Sequence, residues 1–238
     1  MFRIFVITLM LVISSSSLAS SSSKFYLKTI LGANQMNRMV EKKENLNFKI
    51  TQDPKASPFI GIGVGYYTND STRTDITIDY LAANFINEAN NFSYNDGANN
   101  ILGAIDVKRN AYIYSILLNS YLDVFQRDHY SIFVGAGIGV ARIREKTSFL
   151  SSGNLVGENG VFNFPLNVDK FNTKVTNNFA YALSLGFSVK VRSNINLEFA
   201  YHWKDFGRTK PKANENGDTG TRNYYKSHNI ITGIRFDI

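Results

Sequence analysis

Two stretches decide how this chain is read: "FIGIGVGYY", Phe59–Tyr67, and "VGAGIGVAR", Val134–Arg142. Each puts glycine at every second position: Gly61, Gly63 and Gly65, then Gly135, Gly137 and Gly139. A phosphate-binding loop needs its glycines on a turn that leads from a strand into a helix. These glycines alternate with Ile, Val and Ala, and no helical pattern follows them. Strict alternation is the period of a strand with two unlike faces. Glycine inside a strand marks a place where another group approaches closely. The expected neighbours are larger side chains from other strands, such as Arg73, Glu198 or Arg235.

The same period recurs along the chain. Large apolar residues alternate with small or polar ones over 27–33, 60–66, 73–82, 112–122, 132–140, 179–189, 197–203 and 230–238. In the third segment Ile76, Ile78 and Tyr80 oppose Arg73, Asp75, Thr77 and Asp79. In the sixth, Phe179, Tyr181, Leu183, Leu185, Phe187 and Val189 oppose Ala180, Ala182, Ser184, Gly186, Ser188 and Lys190. A soluble sandwich buries its apolar face and turns Lys, Glu and Thr to water. It has no use for a face of Gly-x-Gly-x-Gly. A small polar face carrying scattered charges suits the inside of a narrow barrel whose large apolar face meets lipid.

The connections point the same way. The short ones are Thr68 to Thr72, Val124 to Tyr130 and Arg192 to Asn194. The long ones are Gln35 to Lys55, Asn84 to Arg109, Glu145 to Thr176 and Asp205 to Asn223. Short and long alternate, as they do between the periplasmic turns and extracellular loops of outer-membrane barrels. Tyr80, Tyr112, Tyr114, Phe179, Tyr181, Tyr201 and Trp203 then fall near the outer rim. Phe25, Tyr66 and Phe236 fall near the inner one, which makes two aromatic girdles. The expected fold is all-β: an eight-stranded, antiparallel, up-and-down transmembrane β-barrel with four long extracellular loops and short periplasmic turns.

Composition and the N-terminus set limits. The chain has 238 residues, a formal net charge of +7 and no cysteine. Thiolate metal sites and disulfides are excluded, and the moderate basicity favours anionic surfaces over nucleic acid. Residues 1–19 read as a signal peptide: Arg3, an apolar run Ile4–Ile13, then a serine-rich stretch with Ser17-Leu18-Ala19 as the cleavage region. Residues 20–238 form the barrel domain, expected in the bacterial outer membrane.

The phrases "FYLKTILGAN", "ITIDYLA", "SIFVGAGIGVARI", "FAYALSLGFSVKV" and "NLEFAYHW" resemble strands of small eight-stranded outer-membrane barrels of the OmpA, OmpX and opacity-protein type. The chain is also similar to rickettsial surface barrels of this group that act as host-binding adhesins. The ending "TGIRFDI", with Gly233, Phe236 and Ile238, resembles the signal that the outer-membrane assembly machinery reads. The resemblance implies a monomer among outer-membrane lipid and lipopolysaccharide that meets host extracellular proteins through its loops. It implies no cofactor.

Candidate residues follow. Asp75, Asp79, Lys190, Glu198, His202, Arg235 and Asp237 are expected to face the lumen, as structural ion pairs rather than an ion path. Counting back from the periplasmic end that their strands share brings Glu198 near Arg235. Lipid A deacylases share the fold and resemble this chain in that respect alone. Their His-x-Ser-Asn run is not matched, because His129 and Ser131 are followed by Ile132 and sit at a short turn. His228 precedes Asn229 without the serine. No enzyme is expected. A small pore or a purely structural role is the alternative to adhesion. The candidate ligand-binding positions lie in the loops: Lys42, Lys43, Lys49 and Lys55 in the first, Phe162 and Phe164 in the third, and Arg208, Lys210, Lys212 and Arg222 in the fourth.

Overall fold

The computed structural model describes residues 25–43, 48–87, 90–95, 100–157, 160–166, 174–209 and 223–238. For 39–43, 48–52, 86–87, 90–95, 100–108, 147–157 and 160–166 it describes the backbone alone. The expected signal peptide therefore lies outside the described residues.

The strands are β1 (Phe25–Met36), β2 (Met39–Lys43), β3 (Phe48–Lys55), β4 (Ser57–Asn69), β5 (Thr72–Asn87), β6 (Asn90–Asn95), β7 (Asn100–Gln126), β8 (Tyr130–Gly157), β9 (Gly160–Leu166), β10 (Lys174–Arg192), β11 (Ile195–Arg208) and β12 (Tyr224–Asp237). Eight of them close on themselves in the order β5-β4-β1-β12-β11-β10-β8-β7, with β7 pairing back to β5. Every pairing is antiparallel. Closure leaves the barrel wall without a free edge. The other four strands decorate one end: the β2–β3 hairpin joins β5, β6 joins β7, and β9 joins β8.

Side-chain alternation gives the two faces. Outside stand Ile60, Ile62, Val64, Ile76, Ile78, Ile116, Leu118, Ile138, Val140, Leu183, Leu185 and Ile230, all exposed. An apolar band of that extent has no place in water and fits the hydrocarbon of a bilayer. Inside, the glycines leave room. A Cβ on Gly65 would fall on the Tyr26 ring, one on Gly61 on the Asp79 carboxylate, one on Gly135 on the Tyr121 ring and one on Gly137 on the Asn119 amide. The close approach is real. Its agents are Tyr26, Asp79, Tyr121 and Asn119 rather than Arg73, Glu198 or Arg235.

At one end the turns are tight. Asn69 Oδ1 accepts the Ser71 N–H at 3.0 Å, an Asx-type closure of the β4–β5 turn. Residues 127–129 and 193–194 make the other two. At the opposite end β7 and β8 run on for 27 and 28 residues in all. A tilted strand needs only about 9–11 residues to cross a membrane. Much of what the sequence presents as loop is therefore paired strand: β2, β3, β6 and β9, and the extensions of β7 and β8.

Candidate functional site

The lumen is filled in layers, and each layer follows from which residues alternate inward. Nearest the tight turns lies a charge cluster. Glu198 on β11 meets three cations. Arg235 of β12 bonds its carboxylate, Lys28 of β1 stands 3.3 Å from Oε2, and Arg73 of β5 lies 3.3 Å from Oε1. Lys28 also reaches Asp75 Oδ2 at 3.3 Å, and Arg73 reaches Asp123 Oδ1 at 2.6 Å. Asp75 accepts further bonds from Asn119 Nδ2 at 2.8 Å and the Tyr26 hydroxyl at 3.2 Å. Aromatic faces complete the packing: Arg73 lies 4.6 Å from the Phe133 ring centroid and Lys28 4.6 Å from that of Tyr121. Buried charges cost several kcal/mol apiece unless each finds partners, and here each carboxylate is shared by several donors.

A second layer is largely apolar. Phe59, Leu81, Ile113 and Ile143 are fully buried and lie opposite one another across four consecutive strands. Beneath Phe59, Lys204 pairs with Asp79 at 2.6 Å. A third layer, toward the long hairpins, centres on Glu145. It receives Arg109 at 3.4 Å, the Tyr225 hydroxyl at 2.5 Å and Asn223 Nδ2 at 3.2 Å. Three successive plugs of side chains leave little lumen for an ion. Planar-bilayer recordings of the folded barrel should show no steady single-channel steps. Regular steps of fixed size would show that the plugs open.

The lumen candidates are placed as follows. Asp75, Asp79, Glu198, His202 and Arg235 are buried inside. Asp237 is partly buried at the tight-turn mouth, where it accepts from Tyr67 at 2.8 Å and Asn196 at 2.9 Å and lies 3.7 Å from Arg235 Nε. Lys190 lies opposite the inward Asn196 and lines that same mouth, where it is exposed. The β10–β11 register breaks only beyond it, between Lys190 and Arg192. Alternation alone put Lys28, Arg73 and Lys204 on the inner face. It did not show which carboxylate each meets.

The loop candidates lie at the opposite end. Lys55 and Arg208 are exposed. Lys42 and Lys43 lie on β2, Lys49 on β3, and Phe162 and Phe164 on β9; the backbone register sets Lys42 opposite Lys49. Lys210, Lys212 and Arg222 lie outside the described residues.

The histidines form no hydrolytic set with the residues beside them in sequence. Ser131 Oγ lies 3.5 Å from an Asp123 oxygen, and His129 is exposed in the mouth. His228 faces outward, 2.5 Å from the Tyr201 hydroxyl and 3.0 Å from Asn37 Oδ1.

Comparison with known proteins agrees with this architecture. The family model for "Outer membrane protein beta-barrel domain" matches residues 5–236. A Rickettsia conorii protein named "Putative adhesin RC1281" is 37% identical over 94% of this chain and 87% of its own length. A Rickettsia typhi protein named "Putative adhesin RT0816" is 31% identical over 97% of this chain and 98% of its own. Among solved structures, Neisserial surface protein A aligns over 92% of this chain and 100% of its own with 17% identity and a TM-score of 0.45. The closed eight-stranded wall, its apolar exterior and a family match over nearly the whole chain lead to one conclusion: the chain is an outer-membrane protein and belongs to the outer membrane β-barrel family.

Proposed function

We propose that this barrel is a monomeric cell-surface protein that binds host extracellular proteins in the manner of an adhesin, through the hairpins at its long end. The observation that carries the reading is the extension of β7 and β8 well past the membrane-crossing length, flanked by β6, β9 and the β2–β3 hairpin. Binding residues concentrate on segments held out by a rigid scaffold. The plugged lumen turns attention from passage through the barrel to contact at its rim. The names of the rickettsial relatives support the same role.

The binding surface we assign is basic with an apolar element. Lys42, Lys43, Lys49 and Lys55 supply one side. Arg208, Lys210, Lys212 and Arg222 supply the neighbouring one, because β1 pairs with β12. Phe162 and Phe164 supply apolar contact. Such a surface suits acidic regions of matrix or serum proteins.

The test uses cells that export the protein and a panel of immobilised host matrix and serum proteins. Cells carrying the intact barrel should be retained on at least one of them. Retention should fall at least tenfold, the loss of about 1.4 kcal/mol, when Lys42, Lys43, Lys49 and Lys55 are changed together to Gln. If all the long hairpins can be cut to tight turns without loss of retention, the adhesin reading fails.

A further inference from the structure

On the outer wall, just above the apolar band, polar side chains are held in fixed places by one another. Tyr181 of β10 donates to Asp205 Oδ2 at 2.9 Å. Gly207 N–H, at a left-handed φ of 78° in the bulge that ends the β11 register, donates to Asp205 Oδ1 at 2.8 Å. Lys226 of β12 stands 3.4 Å from the same carboxylate and 5.9 Å from the Trp203 ring centroid. One ladder step nearer the membrane, His228 lies directly opposite Trp203. It is fixed between Tyr201 and Asn37, and it remains exposed. Ile230, two residues further down, is 75% exposed in the apolar band.

The height of this cluster is set by geometry. Trp203 lies eight residues beyond Ile195, the first residue of β11 after a tight turn. At about 3.3 Å per residue and a tilt of about 40°, that places it roughly 20 Å up the wall. The apolar band of such barrels is about 25 Å tall. The cluster therefore stands where hydrocarbon gives way to headgroups. The tight turns lie at the other end, so the leaflet is the outer one.

We propose that Lys226 and the amide N–H groups of Asn37, whose Oδ1 is held by His228, form a lateral site for the phosphate of an outer-leaflet glycolipid, with the lipid's acyl chains lying along Ile230 and its sugar ring over Trp203. Asp205 would repel a phosphate if its charge were free. It is already shared by Lys226, the Tyr181 hydroxyl and the Gly207 N–H, and the lysine keeps further N–H donors. An ordered cation beside an aromatic face is what phosphate recognition at a membrane surface uses. Occupancy is continuous with the lipid-facing wall and independent of adhesion, so either reading can fail alone.

The test is native mass spectrometry of the folded barrel in detergent with bisphosphorylated lipid A, and with the same lipid A after phosphate removal. The wild-type barrel should retain the phosphorylated form at least tenfold more strongly, a difference of about 1.4 kcal/mol. The Lys226→Gln/His228→Gln variant should lose that preference. Lys190→Gln, at the opposite end, should keep it. The heat-modifiable gel shift reports whether each variant is folded. Equal retention of both lipids by the wild-type barrel, or an unchanged preference in the double variant, would overturn the site. Loss of the preference in Lys190→Gln would reduce it to general charge attraction.

Discussion

Replacing Glu198 with alanine should produce the largest loss of stability available from one lumen substitution. The change leaves Lys28, Arg73 and Arg235 buried around an uncharged gap. Breaking a buried ion pair by removing one partner typically costs about 3–5 kcal/mol, and here one carboxylate serves three cations. The readout is the temperature at which the compact folded band converts to the unfolded one on an electrophoretic gel. Arg235→Ala should act in the same direction with a smaller loss, because Glu198 keeps Lys28 and Arg73. An unchanged conversion temperature for Glu198→Ala would show that the cluster contributes nothing net. A larger loss for Arg235→Ala than for Glu198→Ala would place the hub elsewhere.

The second large effect is expected at Gly65. It lies opposite Tyr26 on the neighbouring strand, and an added Cβ would fall on the tyrosine ring. The ring is fully buried and its hydroxyl is engaged with Asp75, so it has no free direction in which to yield. Overpacking of this kind costs about 1–3 kcal/mol for small additions. Gly65→Val should exceed Gly65→Ala, measured as the urea midpoint of unfolding in lipid vesicles. Tyr26→Ala alone should also destabilise, since it removes a hydrogen bond and a buried ring. Combined, the two changes should cost less than their sum, because removing the Tyr26 ring removes the clash and the Gly65→Val side chain fills part of the space left. Strict additivity would mean that the glycine is not there to clear Tyr26.

The barrel wall was legible in the sequence because the membrane imposes period 2 on every crossing strand. Ile76, Ile78, Leu183 and Leu185 had to face lipid, so Asp75, Asp79, Ser184 and Gly186 had to face inward. The ion-pair map was less legible. Arg73 and Glu198 lie 125 positions apart and meet across the lumen, not along a ladder. Alternation gives the face of each strand but not the stagger that brings distant strands level. Glu198 and Arg235 were easier, since their strands are neighbours and both are counted from the same short-turn end. The inward aromatics Tyr26 and Tyr121 were also hidden, because their bulk is accommodated by glycines on other strands. The hairpins escaped for a different reason. Beyond the bilayer neither face of a strand meets lipid, so nothing imposes alternation on Asn90–Asn95 or on the far part of β7. Alternation gave the face of Lys190 but not its height, which puts it at the open mouth rather than deep in the lumen.

The pairing of β1 with β12 has a consequence for the time course of assembly. Tyr26 meets Asp237, and the Ile238 N–H donates to the Phe25 carbonyl at 2.9 Å. The seam joins segments separated by nearly the whole domain, so it cannot form until the C-terminal strand has been delivered. Contacts of such long sequence separation are slow to form. Until then β1 and β12 both present bare backbone to whatever strand is near, a state prone to mispairing. Sealing the seam is therefore the step that removes the last free edges of the wall, and a chaperone that shields one of these two strands would govern its yield.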